Sequence, residues 1–387
     1  MKKHKYPVKM ALFVTAYYIT NSVFQSYMSL YYSALGFGSA RIGTINGFTA
    51  LSSLAGQPFW GVRADRTLSR RRLIAILALI SGGFALAYSF TRHYILLMLL
   101  AVGFSFFYTA IQPMGDSVIL NQLNESGSPF GPLRLCGCMA FAVSGLIFGR
   151  IMDGNGRERL VPILTAVLCA VTAASAFSLP VSPGGQWGGR RMSFKTLIRN
   201  RPLMELLLFM TPVQMTMGYF YTFFSPHFMS LEAANGGQLG ICYLISAVSE
   251  IPFLILSDRL FARFGAGRLM LSAALSLSAR WLVLALGHTA SAAMFSQIFH
   301  GWGYIVMSVC MAKFISSSVP EGLQATGQML LAIVSFGISR TVGNFGGGLL
   351  ADLIGRQNVF FACAGICLAS ACAFAPFCLR RTNENNP

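Results

Sequence analysis

Between Tyr94 and Ala110 the chain runs 17 residues without one charged side chain, and comparable apolar stretches recur along its whole length. That feature restricts the fold more than any other. A helix needs roughly 20 apolar residues to cross a hydrocarbon core about 30 Å thick. A membrane-spanning strand would instead alternate apolar and polar residues over about 10 positions, and these runs do not alternate. Composition points the same way. Of 387 residues, 55% are hydrophobic and only 11% charged, with a mean hydropathy of +0.60, whereas a soluble domain carries about 25% charged residues. So little charge cannot cover a water-facing surface, which excludes a soluble enzyme. The sequence specifies an all-α membrane protein.

Hydrophobic runs between Gly, Pro and charge clusters predict twelve transmembrane helices, near 9–34, 41–61, 73–91, 94–120, 133–152, 160–180, 203–230, 237–257, 269–287, 290–312, 325–351 and 358–379. The longest polar interruption, Val181 to Arg201, contains Pro183, Gly184, Gly185, Gly188, Arg190, Arg191 and Lys195. It reads as a linker, 181–201, between an N-terminal six-helix bundle, 1–180, and a C-terminal one, 202–387. Met1 to Lys9 is basic, but the apolar stretch behind it is too long for a cleaved signal and lacks a small-residue cleavage site, so it should stay as a span. Nine cysteines fall in apolar stretches without metal-ligand spacing and read as small buried thiols, not disulfides.

The formal charge of +17 raises the question of nucleic acid. Its distribution answers otherwise. Twenty Lys and Arg fall on the side carrying both termini and six on the other, a positive-inside bias that puts both termini in the cytoplasm. The expected setting is a plasma (inner) membrane, crossed many times, with the lipid bilayer and a small-molecule substrate as partners, no nucleic acid and a monomeric state. No cofactor motif is present, and a proton is the expected coupling ion.

The two halves echo one another. The second span ends in Gln57-Pro58-Phe59-Trp60-Gly61-Val62-Arg63-Ala64-Asp65-Arg66, followed by Arg70 to Arg72. The eighth ends in Ile251-Pro252-Phe253 and then Asp258-Arg259, with Arg263, Gly265 and Arg268 beyond. Asp65 to Asp258 is a shift of 193 residues, half the chain, as duplication of a six-span unit produces; paired major facilitator halves are a standard instance. Gly61 to Arg66 with the basic cluster resembles the cytoplasmic loop signature of the major facilitator superfamily, in which an Asp and basic residues latch helix ends together. The resemblance implies a gating role for Gly61, Asp65, Arg66, Asp258 and Arg259, and two pseudo-symmetric bundles rocking about a central site. Ser69 stands where a glycine is usual, and Arg63 where an apolar residue is frequent.

A nearer resemblance, nearly full length, is to the branch containing phenylpropionate permease, lactose permease and nucleoside-proton symporters. It rests on Gln112-Pro113-Met114-Gly115-Asp116, on Leu133-Arg134-Leu135-Cys136-Gly137-Cys138-Met139-Ala140-Phe141, on Ser249-Glu250-Ile251-Pro252, on Ala279-Arg280-Trp281 and on Gln297-Ile298-Phe299-His300-Gly301. In lactose permease the residues matching Asp116 and Arg134 hold the sugar and an aromatic matching Phe141 stacks on it. Gly303 stands where that permease has its proton-carrying glutamate.

An ionisable residue at mid-bilayer costs at least about 2.5–3.5 kcal/mol on insertion scales, so each one implies a partner or a wet cavity. Tyr108, Gln112 and Asp116 recur every four residues on span four, while Arg134, Cys138 and Phe141 share one face of span five. A carboxylate, a guanidinium fork and an aromatic plate can bind a hydroxylated ring or a carboxylate. The same residues also fit a structural ion pair, or an arginine reaching the interface. Glu250, Arg280 and His300 form a second group, either proton-coupling or a fixed Glu250–Arg280 salt bridge with His300 beside it. Arg340 is a cation with no evident counter-charge. With Asn344 it either completes an anion site or faces water near a span end. Tyr17, Asn21 and Gln25 on span one, and Gln214 and Tyr221 on span seven, are further candidates for the substrate path. His227, Glu232 and His288 read as solvated external residues.

These features favour proton-coupled uptake of a small polar organic solute (an aromatic carboxylate, a sugar or glycoside, or a nucleoside) by alternating access. A drug or metabolite exporter and a uniporter remain open, although Ser144-Gly145-Leu146-Ile147-Phe148-Gly149 lacks the Gly-Pro element of such antiporters. A membrane enzyme is disfavoured by the lack of HExxH, GxSxG or Walker motifs, and a channel by the lack of a repeated filter.

Overall fold

The computed structural model describes residues 8–126, 130–153, 156–182, 197, 199–320 and 323–380. The expected linker lies almost wholly outside the described residues, as do both chain ends. Nearly everything described is helical, because in hydrocarbon the backbone must satisfy its own N–H and C=O groups. The helices are α1 (Val8–Ala34), α2 (Ser39–Asp65), α3 (Arg70–Ala87), α4 (Tyr94–Tyr108), α5 (Ile111–Ser126), α6 (Gly131–Ile151) and α7 (Val161–Ala176). They continue with α8 (Arg201–Phe228), α9 (Gly236–Leu286), α10 (Ala290–Ser296), α11 (Met307–Ser318), α12 (Gln324–Ala332), α13 (Ser339–Ile354) and α14 (Val359–Arg380). Among the described residues, eight helical stretches are long and apolar enough to cross a membrane, including Tyr94–Leu123, Ala290–Ser318 and Thr326–Ile354.

The described residues form two compact units, those within 1–37 and 48–189 and those within 38–47 and 190–387. In the first, α1 packs on α6 and α7, and α3 on α4 and α7, around a core that includes Phe13, Ile74, Phe104, Ile111 and Cys169. Polar side chains join these helices: Thr20 Oγ1 lies 2.9 Å from Thr172 Oγ1, and Tyr27 donates to the Gly145 carbonyl. In the second unit α9 packs on α14, and α8 on α13. Here the Asp352 carboxylate, at the end of α13, accepts from the backbone N–H groups of Ser39 and Ala40 at 2.7 and 2.9 Å and caps the start of α2.

One polar stretch departs from expectation. Asp258 to Arg268 reads as a loop, yet the backbone stays helical there except at Gly265, whose φ of 70° and ψ of 166° break α9 into two arms. That region of backbone space is open essentially to glycine alone. Two π-helical segments, Gly301–Val306 and Ile333–Ile338, have no signature in the sequence pattern. The cysteine expectation needs correction in part. Cys169, Cys242, Cys310, Cys363 and Cys367 are buried free thiols, but Cys136 and Cys372 lie on the surface. His227 is likewise not solvated; it is buried against the Phe360 ring, 5.2 Å between centroids.

Candidate functional site

In the N-terminal unit, α5 carries Gln112 and Asp116 four residues apart, and α6 opens on Pro132 and brings Arg134 opposite. Arg134 Nη1 stands 3.7 Å from Asp116 Oδ2, beyond hydrogen-bond length. Its guanidinium lies 5.7 Å from the centroid of the Tyr18 ring. Gln112, one turn before Asp116, reaches α1: its side chain donates to the Tyr18 hydroxyl at 3.0 Å and accepts from the Tyr17 hydroxyl at 3.5 Å. Close approach of α1 and α6 is possible because Gly137 has no Cβ; one built there would lie 2.7 Å from the Tyr18 ring. The structure thus brings Asp116, Arg134, Gln112 and Tyr17 together.

Tyr18 has no place in the sequence pattern that selects Tyr17. Tyr17 itself is buried and stacked on Tyr108. Phe141 and Cys138 are half-buried on α6, and the Phe141 carbonyl accepts from Ser22 at 2.9 Å. Asn21 is half-buried and Gln25 exposed.

The C-terminal unit holds a tighter arrangement. Arg280 has no exposed surface. Its Nη1 lies 2.7 Å from His300 Nδ1, its Nη2 donates to Gln297 Oε1, and its Cζ sits 4.0 Å from the Phe220 ring centroid. His300 Nε2 lies 3.2 Å from Glu250 Oε1. These contacts fix the imidazole's protonation. An arginine only donates, so Nδ1 must accept, and the ring proton sits on Nε2 and is donated to Glu250. His300 is therefore a neutral bridge between a cation and a carboxylate. The sequence alternative of a direct Glu250–Arg280 salt bridge is not what forms; among the described residues Glu250 pairs with His300.

Two local features place this relay. Gly301 lets its helix come so close to α9 that a Cβ there would overlap the Ser249 carbonyl oxygen. Its N–H instead donates to Ser249 Oγ at 2.9 Å, at the start of the π segment, a distortion that recurs at functional positions. With Ser249 and Gly301 in register, their neighbours Glu250 and His300 face each other. Pro252 has no N–H for the Val248 carbonyl, which loosens the ladder beside Glu250. Gln297, part of a quoted motif but without a role readable from sequence, orients Arg280 and is itself fixed by Ser246 Oγ at 2.8 Å and by donation to the Ala293 carbonyl. Gly303 packs so tightly on Leu277 that a Cβ would lie 2.5 Å from its side chain. That position is a helix contact with no room for a glutamate.

Arg340 is the middle residue of the span Thr326–Ile354, which corrects the alternative of a water-facing span end. Its Cζ lies 4.8 Å from the Tyr221 ring centroid and 4.9 Å from that of Phe336. Tyr221 in turn meets His300 and Tyr304 edge-on at 6.4 and 6.2 Å. Asn344 does not join Arg340; it is buried and accepts from Thr222 at 2.9 Å. Gln214 is buried with its amide 3.9 Å from Met307 Sδ.

At the gating loop, Asp65 pairs with Arg70 at 2.9 Å, and the nearly buried Arg70 also donates to Ser117 at 3.1 Å. Arg66 is exposed, and a Cβ at Gly61 would meet open space. Asp258 pairs with Lys313, while Arg259 is exposed.

Apolar helical spans that carry charged residues among their buried faces, with Asp116 set opposite Arg134 and Glu250 joined through His300 to Arg280, are the construction of a multi-pass membrane transporter. More specifically, the chain belongs to the MFS_1 like family, whose model matches residues 7–362, and it is a transporter and not an enzyme. Maltose permease of Geobacillus stearothermophilus is 30% identical over 333 residues, which span 84% of this chain and 82% of the permease. A probable 3-phenylpropionic acid transporter of Escherichia coli (strain K12) is 21% identical over 367 residues, 93% of this chain and 94% of the relative. Among solved structures, the nucleoside transporter NupG aligns with TM-scores of 0.86 for a point mutant and 0.81 for the unaltered protein. The alignments cover 96% of this chain and 99% and 98% of those chains, at 17% and 18% identity. Likeness at that identity establishes the shared fold.

Proposed function

We propose that the protein is a proton-coupled carrier that takes up a small polar organic solute (a sugar or glycoside, a nucleoside or an aromatic carboxylate) across the plasma (inner) membrane by alternating access. It works as a monomer with both termini cytoplasmic. The observation that carries this reading is the Arg280–His300–Glu250 relay. With Glu250 ionised, the cation and anion cancel. When Glu250 takes a proton, its carbonyl oxygen still accepts from His300 Nε2, so the geometry is kept while the net charge changes by one. Protonation of His300 would instead set an N–H against the Arg280 donors and break the relay. Glu250 is therefore the proton carrier, and Arg280 and His300 position it. Asp116, Arg134, Gln112 and Tyr18 supply hydrogen bonds and an aromatic face for the solute.

Two measurements test the reading. Concentrative uptake into cells or proteoliposomes should collapse with an uncoupler. Glu250→Gln should lose accumulation while it retains exchange of labelled for unlabelled solute. Accumulation by that variant equal to the wild type would remove Glu250 from coupling. Counterflow separates a carrier from a channel, because only a carrier accelerates labelled entry when unlabelled solute is trapped inside.

A further inference from the structure

Asp116, Arg134, Glu250, Arg280 and Arg340 are charged residues within the apolar runs, and the first four fall into two groups. Asp116 faces Arg134, and Glu250 is joined to Arg280 through His300. Arg340, the fifth, has no such counterpart. At the centre of its span it has two aromatic rings beside it and no ion pair or hydrogen bond with any described residue. Contact with a ring face holds a guanidinium's charge but leaves its N–H donors, which lie in the plane, open to an acceptor. A cation kept at mid-membrane with unused donors needs a charge to neutralise it.

The surroundings hold it in place. Arg340 sits two residues after the π segment Ile333–Ile338. Gly218 of α8 lies against its backbone, where a Cβ would come 2.9 Å from the Arg340 Cα. That contact brings Tyr221, one turn further along α8, beside the guanidinium. The Tyr221 hydroxyl, like the guanidinium, has no hydrogen-bond partner among the described residues. Behind Tyr221 stand the rings of His300 and Tyr304, stacked on one another at 5.3 Å.

We propose that Arg340 and Tyr221 form a carboxylate-binding subsite, so that the transported solute is an organic anion: a carboxylate on an aromatic or otherwise flat body that packs on the Tyr221, Tyr304 and Phe336 rings. The guanidinium fork donates to both carboxylate oxygens, and the tyrosine hydroxyl donates a further hydrogen bond. This rests on the carrier reading above and narrows it from three solute classes to one.

The test uses purified full-length protein and a panel of 3-phenylpropionate, cinnamate and benzoate with their matching primary amides, together with maltose and uridine. Binding is read by thermal shift and calorimetry, and transport by counterflow in proteoliposomes. At least one carboxylate should bind, and its amide should bind at least about tenfold more weakly, as loss of a charged hydrogen-bonding partner implies. Arg340→Gln should weaken the carboxylate by about the same factor, and Tyr221→Phe by less. Arg340→Lys keeps the charge without the fork and should restore part of the affinity, which guards against a variant that merely misfolds. The subsite is overturned if no carboxylate binds, if acid and amide bind alike, or if Arg340→Gln keeps full carboxylate affinity in a folded protein. Maltose or uridine carried in counterflow, with no carboxylate bound, would overturn the subsite and leave the carrier standing. Failure of every solute in counterflow despite carboxylate binding would strike the carrier reading and leave the subsite.

Discussion

In the N-terminal unit Asp116 and Arg134 stand 3.7 Å apart with 49% of the arginine side chain exposed, whereas in the C-terminal unit Arg280 is fully buried and linked at 2.7 Å to a histidine that is itself 6% exposed. Position differs too. Arg134 is the fourth residue of α6, while Glu250 lies midway along the first arm of α9. Both sites put an anion and a cation into apolar surroundings, but with opposite design. A loose, partly exposed pair gains little from its own attraction and can exchange it for a ligand's hydrogen bonds at small cost. A buried group is fixed by its partners, and removing one leaves the rest uncompensated. The contrast agrees with the roles proposed above, in which the N-terminal pair can yield to a changing solute and the C-terminal relay keeps one fixed hydrogen-bond pattern around Glu250.

The sharpest way to break this comparison is Arg280→Met. It should cost about 3–5 kcal/mol, the range for leaving a buried charge without its partner, and abolish concentrative uptake. Thermal unfolding in detergent and uptake in vesicles read the two effects. A Met variant with wild-type uptake would show that the relay is scaffolding. Next comes the identity of the bridge. His300→Gln offers a carbonyl to accept from Arg280 and an amide to donate to Glu250, whereas His300→Lys offers donors only. The Gln variant should fold and keep partial transport, and the Lys variant should lose both. Equal activity of the two would refute the neutral-bridge assignment. A smaller effect is expected from Gly303→Ala, whose methyl meets Leu277. About 1–3 kcal/mol of overpacking is expected, and it should be relieved in the double variant with Leu277→Ala.

Much of the fold could be read from apolar run length, since the hydrocarbon thickness sets it. What could not be read has identifiable causes. Asp258 to Arg268 is polar and looks like a loop, but helical continuity depends on the backbone ladder, which only Gly265 interrupts. The π turn after His300 depends on Ser249 of another helix taking the Gly301 N–H, a contact that no local pattern contains. Helical spacing picks Tyr17 for the N-terminal site. The next residue along, about 100° round the helix, is the one beneath Arg134, because a long guanidinium reaches past its own face. Charged residues announce themselves in apolar runs, so Asp116, Arg134, Glu250, Arg280 and Arg340 could all be named. Gln297 carries no charge, and its role becomes visible only where the structure sets it between Ser246 and Arg280.

The gentler predictions probe the exposed half of the comparison. Asp116→Asn removes a carboxylate from a pair too long to hydrogen-bond, so stability should change by less than about 1 kcal/mol. Solute affinity should fall all the same, because the new amide would present a donor where the acid only accepts. A large drop in melting temperature would mean that the N-terminal pair is a structural clamp after all. The smallest effect belongs to Arg66→Ala. The family resemblance assigns Arg66 to the gating loop, but the side chain is exposed, and the Asp65 carboxylate pairs with Arg70. Stability should stay within about 0.5 kcal/mol, as for a surface site, and transport should be little altered. Arg70→Ala removes the partner of Asp65 and the donor to Ser117, so it should impair both. If Arg66→Ala proved as damaging as Arg70→Ala, the working contact of the loop would have to form in a conformation other than this one.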